Sequence, residues 1–188
     1  PATTSVTFNC HSSAVKSLKV LNSSCDCFLS GSANGNLRIW NTANTISSLE
    51  TRSTGSEVND IDVLANNSIL VATSNGILRL SVTSTIFTDI NPNQGNIYRV
   101  SVLSNGHVAC GFFNNPKIFI YNMETGTAIL TNMAHGGHGI NDLEALPTNG
   151  ELLSVAHVNN YVFRWNTNTG LKISEIPLGR DGICLKLV

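Results

Sequence analysis

Charge is what this chain has least of. Asp, Glu, Lys and Arg supply 12% of its 188 residues and the net charge is −1, against an ordinary charged share of about 25%. A surface so nearly neutral offers no basic field for phosphate, which argues against nucleic acid and against an anionic membrane as partners. No apolar run approaches the ~20 residues of a membrane span. The opening PATTSVTF has neither a basic start nor an apolar signal core. These absences lead to the expectation of a cytoplasmic protein. Helical periodicity of useful length is missing too. The five cysteines, Cys10, Cys25, Cys27, Cys110 and Cys184, are odd in number and scattered. Cys25 and Cys27 fall on one face of a strand, so the pair is neither a zinc knuckle nor a redox motif, and the cysteines are expected to be thiols packed as small apolar residues. The sequence has no glycine-rich phosphate loop, no nucleophile elbow and no metal-spaced histidine pair, so no cofactor and no metal are expected. His135-Gly-Gly-His138 supplies two imidazoles without a nearby Cys or carboxylate partner, too few ligands for zinc.

In place of charge there are Ser, Thr, Asn and Gly, set between short β-prone runs. The clearest stretch is SGSANGNLRIWN, Ser30 to Asn41. It ends one strand, turns at Asn34-Gly35 and starts another. Asn-Gly between β-prone runs is the strongest short hairpin signal, because both residues accept the positive φ of a type I′ turn. The device returns in SNGILRLSV ending at Val82, NNPKIFIYN ending at Asn122 and NNYVFRWN ending at Asn166. Aligned on the turns, the Trp40 position becomes Ser81, Tyr121 and Trp165, a period of roughly 40 to 45 residues, which is that of propeller blades. Inner strands are expected from Val15, Val58, Ile97 and Ile140.

In these residues the chain resembles the WD-repeat family, whose pattern is a His, an apolar inner strand, a strand ending in Ser-Gly-Ser, an Asp turn and a strand ending in Trp-Asp. The first repeat keeps His11, Val15, Ser30 or Ser32, Asn34 and Trp40 in that order. The resemblance implies an all-β propeller of four-stranded antiparallel blades in a single domain. Blades are expected over residues 11–51, 52–91, 92–134 and 135–177. Ser5 to Phe8 would be a lone outer strand, and 178–188 the start of a fifth blade. Such an arc is expected to belong to a larger ring, completed by the remainder of a longer chain or by a second copy. The family also implies a buried hydrogen-bonded relay, here expected at His11, Asn34, Trp40 and Trp165. Asn replaces the turn Asp at Asn34, Asn75, Asn115 and Asn159, and the Asp after Trp at Asn41, Asn122 and Asn166. An amide caps a turn but cannot make the stronger charge-assisted bond to His.

The function implied by the resemblance is a non-catalytic scaffold that binds other proteins or peptides through its loop face and channel mouth. Lys16, Asn59, Tyr98 and Asn141 are expected nearest that mouth. Phe113 and His138 are expected on the loop face, with Tyr98 and Phe113 as aromatic anchors. Two other readings exist. One is a self-assembling arc that completes a ring by oligomerisation. The other is a hydrolytic propeller using Asp60 and Asp142, since glycosidase chemistry needs two carboxylates facing a sugar. Stacking the inner strands on one register puts Ser17, Asp60, Arg99, Asp142 and Cys184 at the third position. Lys19, Asp62, Ser101, Glu144 and Lys186 fall at the fifth. The alternating signs predict Arg99 held between Asp60 and Asp142, Lys19 toward Asp62 and Glu144 toward Lys186.

Overall fold

A computed structural model describes residues 11–21, 26–41, 50–80, 87–90, 96–147, 149–157, 160–179 and 185, with side chains for all of these except 87–90. The expected outer strand at Ser5 to Phe8 lies outside the described residues, as do Ser81, Asn159, Cys184 and Lys186.

Every regular element among the described residues is a strand, and each hairpin connects neighbours in an antiparallel sheet. The first sheet is β1 (Val15–Val20), β2 (Cys27–Ser32), β3 (Asn36–Asn41) and β4 (Glu50–Ser53). The second is β5 (Val58–Val63), β6 (Ile69–Thr73), β7 (Ile77–Leu80) and β8 (Phe87–Ile90). The third is β9 (Ile97–Val102), β10 (Val108–Phe112), β11 (Lys117–Tyr121) and β12 (Ala128–Ala134). The fourth is β13 (Ile140–Leu146), β14 (Glu151–Ala156), β15 (Tyr161–Asn166) and β16 (Lys172–Pro177). The inner strands β1, β5, β9 and β13 lie beside one another in chain order. The sheets therefore stack as successive blades of a propeller arc.

The turn chemistry explains the sheets. Gly35, at φ 79°, closes the β2–β3 turn, and a Cβ there would stand 2.8 Å from the Ser56 carbonyl oxygen. After β11 and β15 the amide oxygens of Asn122 and Asn166 each accept two main-chain N–H groups of the following turn. Gly126 and Gly170 then take positive φ. These asparagines thus do the turn-capping for which Asn is suited.

Packing between blades supplies the core. Leu29, Leu37 and Ile39 of the first blade meet Val58, Ile61, Ile69, Val71 and Leu80 of the second. Leu70, Ala72 and Ile77 meet Ile97, Val100, Cys110 and Tyr121. Ala109, Ile118 and Ile120 meet Ile140, Leu143, Leu152 and Trp165. Cys110 is a buried thiol whose pKa burial pushes up. Cys27 differs from expectation: it is disulfide-bonded, not a thiol.

Strand register corrects one alignment. Trp40 pairs with Phe28, Tyr121 with Val108 and Trp165 with Leu152, while in the second blade Ile69 pairs with Leu80. The residue at the Trp40 position is therefore Leu80, not Ser81. Leu80 is fully buried, so the second blade is filled at this place. The one-residue error arose because SNGILRLSV has no aromatic to mark the strand end.

Candidate functional site

Each inner strand begins with the same irregularity. The pairing register shifts between Val15 and Ser17, Val58 and Asp60, Ile97 and Arg99, and Ile140 and Asp142. The bulged residues are thus Lys16, Asn59, Tyr98 and Asn141, the four expected at the channel mouth. A bulge re-aims its side chain, and here the four are aimed to different ends. Lys16 Nζ pairs with Glu57 at 2.6 Å and stays half-exposed. Asn59 is buried, with its amide donating to Asn96 Oδ1 at 2.7 Å and to the Ile97 carbonyl at 2.8 Å. Asn141 is buried as well. The two asparagines are therefore corrected from contact residues to interior ones: the bulge turns the Asn59 amide onto the strand of the next blade, where its hydrogen bonds are made.

Tyr98 goes the other way. Its ring meets Phe113 edge-on at 5.3 Å, and Phe113 in turn meets His157 at 5.8 Å and 86°. The Arg99 guanidinium covers the Tyr98 ring at 4.3 Å. Phe113 is 43% exposed, and His157 is exposed beside it. The loops beneath are held by main-chain bonds from Phe113 N–H to the Asn96 carbonyl and from His157 N–H to the Gly139 carbonyl. Gly139 is obligatory there, because a Cβ would fall 1.7 Å from the Phe113 carbonyl oxygen. His138 is exposed on the turn after β12, where its N–H reaches the His135 carbonyl at 3.3 Å. Among the described residues it makes no ring contact with the aromatic group. His157 was missed in the sequence. Its signal was register: Ile97 pairs with Phe112 and Ile140 with Ala156, so Phe113 and His157 occupy one position in successive blades.

Below the patch the inner strands border a cavity of about 570 Å³ with Lys19, Asp60, Asp62, Ser101, Asp142 and Glu144 in its lining. A hydrogen-bonded ladder runs around it. The third residue of one inner strand accepts the N–H of the fourth residue of the next, Ser17 from Ile61 and Asp60 from Val100, and Asp142 accepts the N–H of Leu185. The fifth accepts from the sixth: Asp62 from Val102 and Ser101 from Ala145. Where the position holds a cation, the cation reaches the next carboxylate instead. Lys19 Nζ is 2.6 Å from Asp62, and Arg99 Nε is 3.3 Å from Asp142.

Asp60 departs from the expected pairing. Among the described residues Arg99 is within ion-pair distance of Asp142 and not of Asp60, and the Asp60 carboxylate instead takes the Ser17 hydroxyl at 3.0 Å, Ile61 N–H at 2.9 Å and Val100 N–H at 3.1 Å. Burial raises its pKa to about 6, against the lowering effects of those bonds and of the Arg99 charge.

Two blades carry a polar trio, part-buried in the first and buried in the fourth. Ser30 Oγ accepts the Trp40 indole N–H at 2.8 Å and lies 2.7 Å from His11 Nε2. In the fourth blade Ser154 accepts from Trp165 at 2.7 Å and meets His135 Nε2. Burial lowers the pKa of His11, and that of His135 to about 4. Both imidazoles are therefore neutral at pH 7 and able to accept the serine hydroxyl hydrogen. Asn34 stands outside the trio, a correction to the expected relay: it accepts from Ser32 and donates to Ser12 at 2.9 Å. Without a negative charge it has no hold on the imidazole. His135 and Ser154 were not recognised as members, although both blades separate His from Ser by 19 residues. At the Ser and Trp positions the second blade has Val71 and Leu80 and the third Cys110 and Tyr121. Replacing both partners of a buried hydrogen bond together by apolar groups leaves nothing unsatisfied.

Comparison with known proteins supports this reading of the first blade. Residues 2–41 match the family model for the WD domain, G-beta repeat. No curated protein matches the chain. The match takes in the first three strands of the first blade, and three further blades follow with its strand order and entry bulge.

Proposed function

We propose that this domain is a non-catalytic interaction scaffold that binds a partner protein or peptide at the Tyr98–Phe113–His157 patch. The observation that carries the reading is Phe113: a large aromatic side chain, 43% exposed, fixed between two other rings above the polar cavity. Rigid aromatics lose little entropy on binding and are the usual centres of interface energy. The WD repeat points the same way, because such domains generally mediate protein contacts. The acids that a hydrolytic reading would use are already engaged. Asp60 takes two N–H groups and a hydroxyl, and Asp142 takes Arg99 with the N–H groups of Leu143 and Leu185.

The test is affinity capture from the native source with the whole chain as bait, comparing wild type with Tyr98→Ala, Phe113→Ala and His157→Ala. A partner recovered with wild type should fall about tenfold or more with Phe113→Ala, the scale of a truncated interface anchor. Unchanged recovery across all three variants, with folding intact, would overturn the proposal.

A further inference from the structure

Of the four entry bulges one carries an aromatic side chain, and the residue after it is a cation. The four pairs are Lys16-Ser17, Asn59-Asp60, Tyr98-Arg99 and Asn141-Asp142. Arg99 is fixed on three sides. Its guanidinium covers the Tyr98 ring at 4.3 Å, its Nη1 donates to the Tyr98 carbonyl at 3.0 Å, and its Nε stands 3.3 Å from Asp142 Oδ1 of the next blade. An aromatic face, a carbonyl and a carboxylate converging on one point are the elements of a cation site. Here the chain fills that site with its own guanidinium. Among the described residues Asp142 is the one carboxylate that reaches this group, and Arg99 occupies it.

Resting on the reading of Tyr98, Phe113 and His157 as the contact surface, we propose that Arg99 is its specificity-determining residue. By filling the cation site on Tyr98 it reserves the patch for a partner segment whose docking side chains are apolar and uncharged, and bars Lys and Arg. A basic side chain laid on these rings gives up its water and finds the ring face covered and the carboxylate taken, so nothing offsets its desolvation. It also meets the Arg99 charge at short range, and like-charge juxtaposition is a means by which interfaces turn away wrong partners. An acidic side chain gains no free cation, since Arg99 is committed to Asp142. An apolar side chain meets neither cost and gains contact with Phe113. The same three contacts make Arg99 a positioning residue. It ties Tyr98 to Asp142, across the seam between the third and fourth blades that Phe113 and His157 also bridge.

The test empties the site and offers it a cation from solution. N-ethylguanidinium, the head of an arginine side chain, is titrated into the whole chain with N-ethylurea as the uncharged control, and the ring resonances of Tyr98, Phe113 and His157 are followed by NMR. Wild type should bind neither saturably. Arg99→Ala should bind N-ethylguanidinium with half-saturation on the order of 10 mM, and about tenfold or more tighter than N-ethylurea. Adding Asp142→Asn should weaken that binding several-fold, and Arg99→Lys, which restores a cation, should exclude both probes again. Arg99→Val, a residue suited to a strand, opens the same site should Arg99→Ala fail to fold. Saturable binding of N-ethylguanidinium to wild type or to Arg99→Lys, none to a folded Arg99→Ala or Arg99→Val, equal binding of the two probes, or no effect of Asp142→Asn would overturn the proposal. No partner enters these titrations, so their failure is told apart from failure of the capture experiment, which tests the patch itself.

Discussion

Asp60 Oδ2 accepts the main-chain N–H of Val100 at 3.1 Å, across 40 positions of sequence. The same carboxylate holds Ser17 of the preceding blade, so one side chain ties three inner strands together. Its folded pKa of about 6, raised by burial from 3.8, makes that tie sensitive to pH. A carboxyl raised on folding adds stability below its unfolded pKa that is lost as pH climbs through the folded value. From pH 4 to 6 this group alone would destabilise the fold by up to about 3 kcal/mol.

His135 works in the opposite sense. Burial lowers its pKa from 6.5 to about 4, so its contribution is full above pH 6.5 and is lost as pH falls toward 4, again by up to about 3 kcal/mol. His11 is shifted in the same direction. The opposed slopes of Asp60 and His135 should largely offset each other between pH 4 and 6, leaving the His11 slope in the wild type. Asp60→Asn removes one of the two, so the variant should lose stability steadily on acidification through this window. Urea denaturation at half-unit pH steps checks this; parallel curves for variant and wild type would show that Asp60 does not titrate there.

Gly111→Ala should destabilise the domain by about 1–3 kcal/mol, the usual range for overpacking a filled core. A Cβ at Gly111 would lie 2.6 Å from Ile140 Cγ2 and 2.7 Å from Ile140 Cβ, and Cβ cannot swing aside without its strand. Gly136→Ala is the control, since nothing stands within 4 Å of that position. Denaturation midpoints that fall equally for both variants would mean that the third and fourth blades are not in close contact at Gly111.

Ser154→Ala should cost about 1–3 kcal/mol, because it strands the buried Trp165 indole N–H and removes the hydroxyl from His135. Val71, at the same place in the second blade, shows that the fold tolerates an apolar residue when its neighbour is Leu80. Trp165→Phe added to Ser154→Ala should therefore cost less than the sum of the single changes. Strict additivity in a double-mutant cycle would show that the two side chains are not coupled.

Much of this structure was legible one blade at a time. Asn34-Gly35 and the asparagines at the ends of the third strands place turns by their own conformational preference, and alternation between turns places the strands. Even the third and fifth positions of the inner strands could be listed, because a strand's side chains repeat every two residues. Lys19 opposite Asp62 follows from that list alone.

What lay between blades was not legible in the same way. Nothing local tells Asn59 from Lys16, yet the bulge buries one in the next blade and leaves the other half-exposed against Glu57. The alternating charges predict Asp60 as half of an ion pair, and the tertiary structure gives its oxygens to the Ser17 hydroxyl and to main-chain donors that no pattern of side chains announces. His157 joined Phe113 only because two loops from successive blades converge over Gly139. The sequence by itself determined the strands, their turns and their order, since those depend on neighbours a few residues apart. The tertiary structure decided which polar groups are used up inside and which aromatic stays outside, because contacts some 40 residues apart depend on how far each blade is rotated and offset from the last, and that is settled by packing volume and not by local preference.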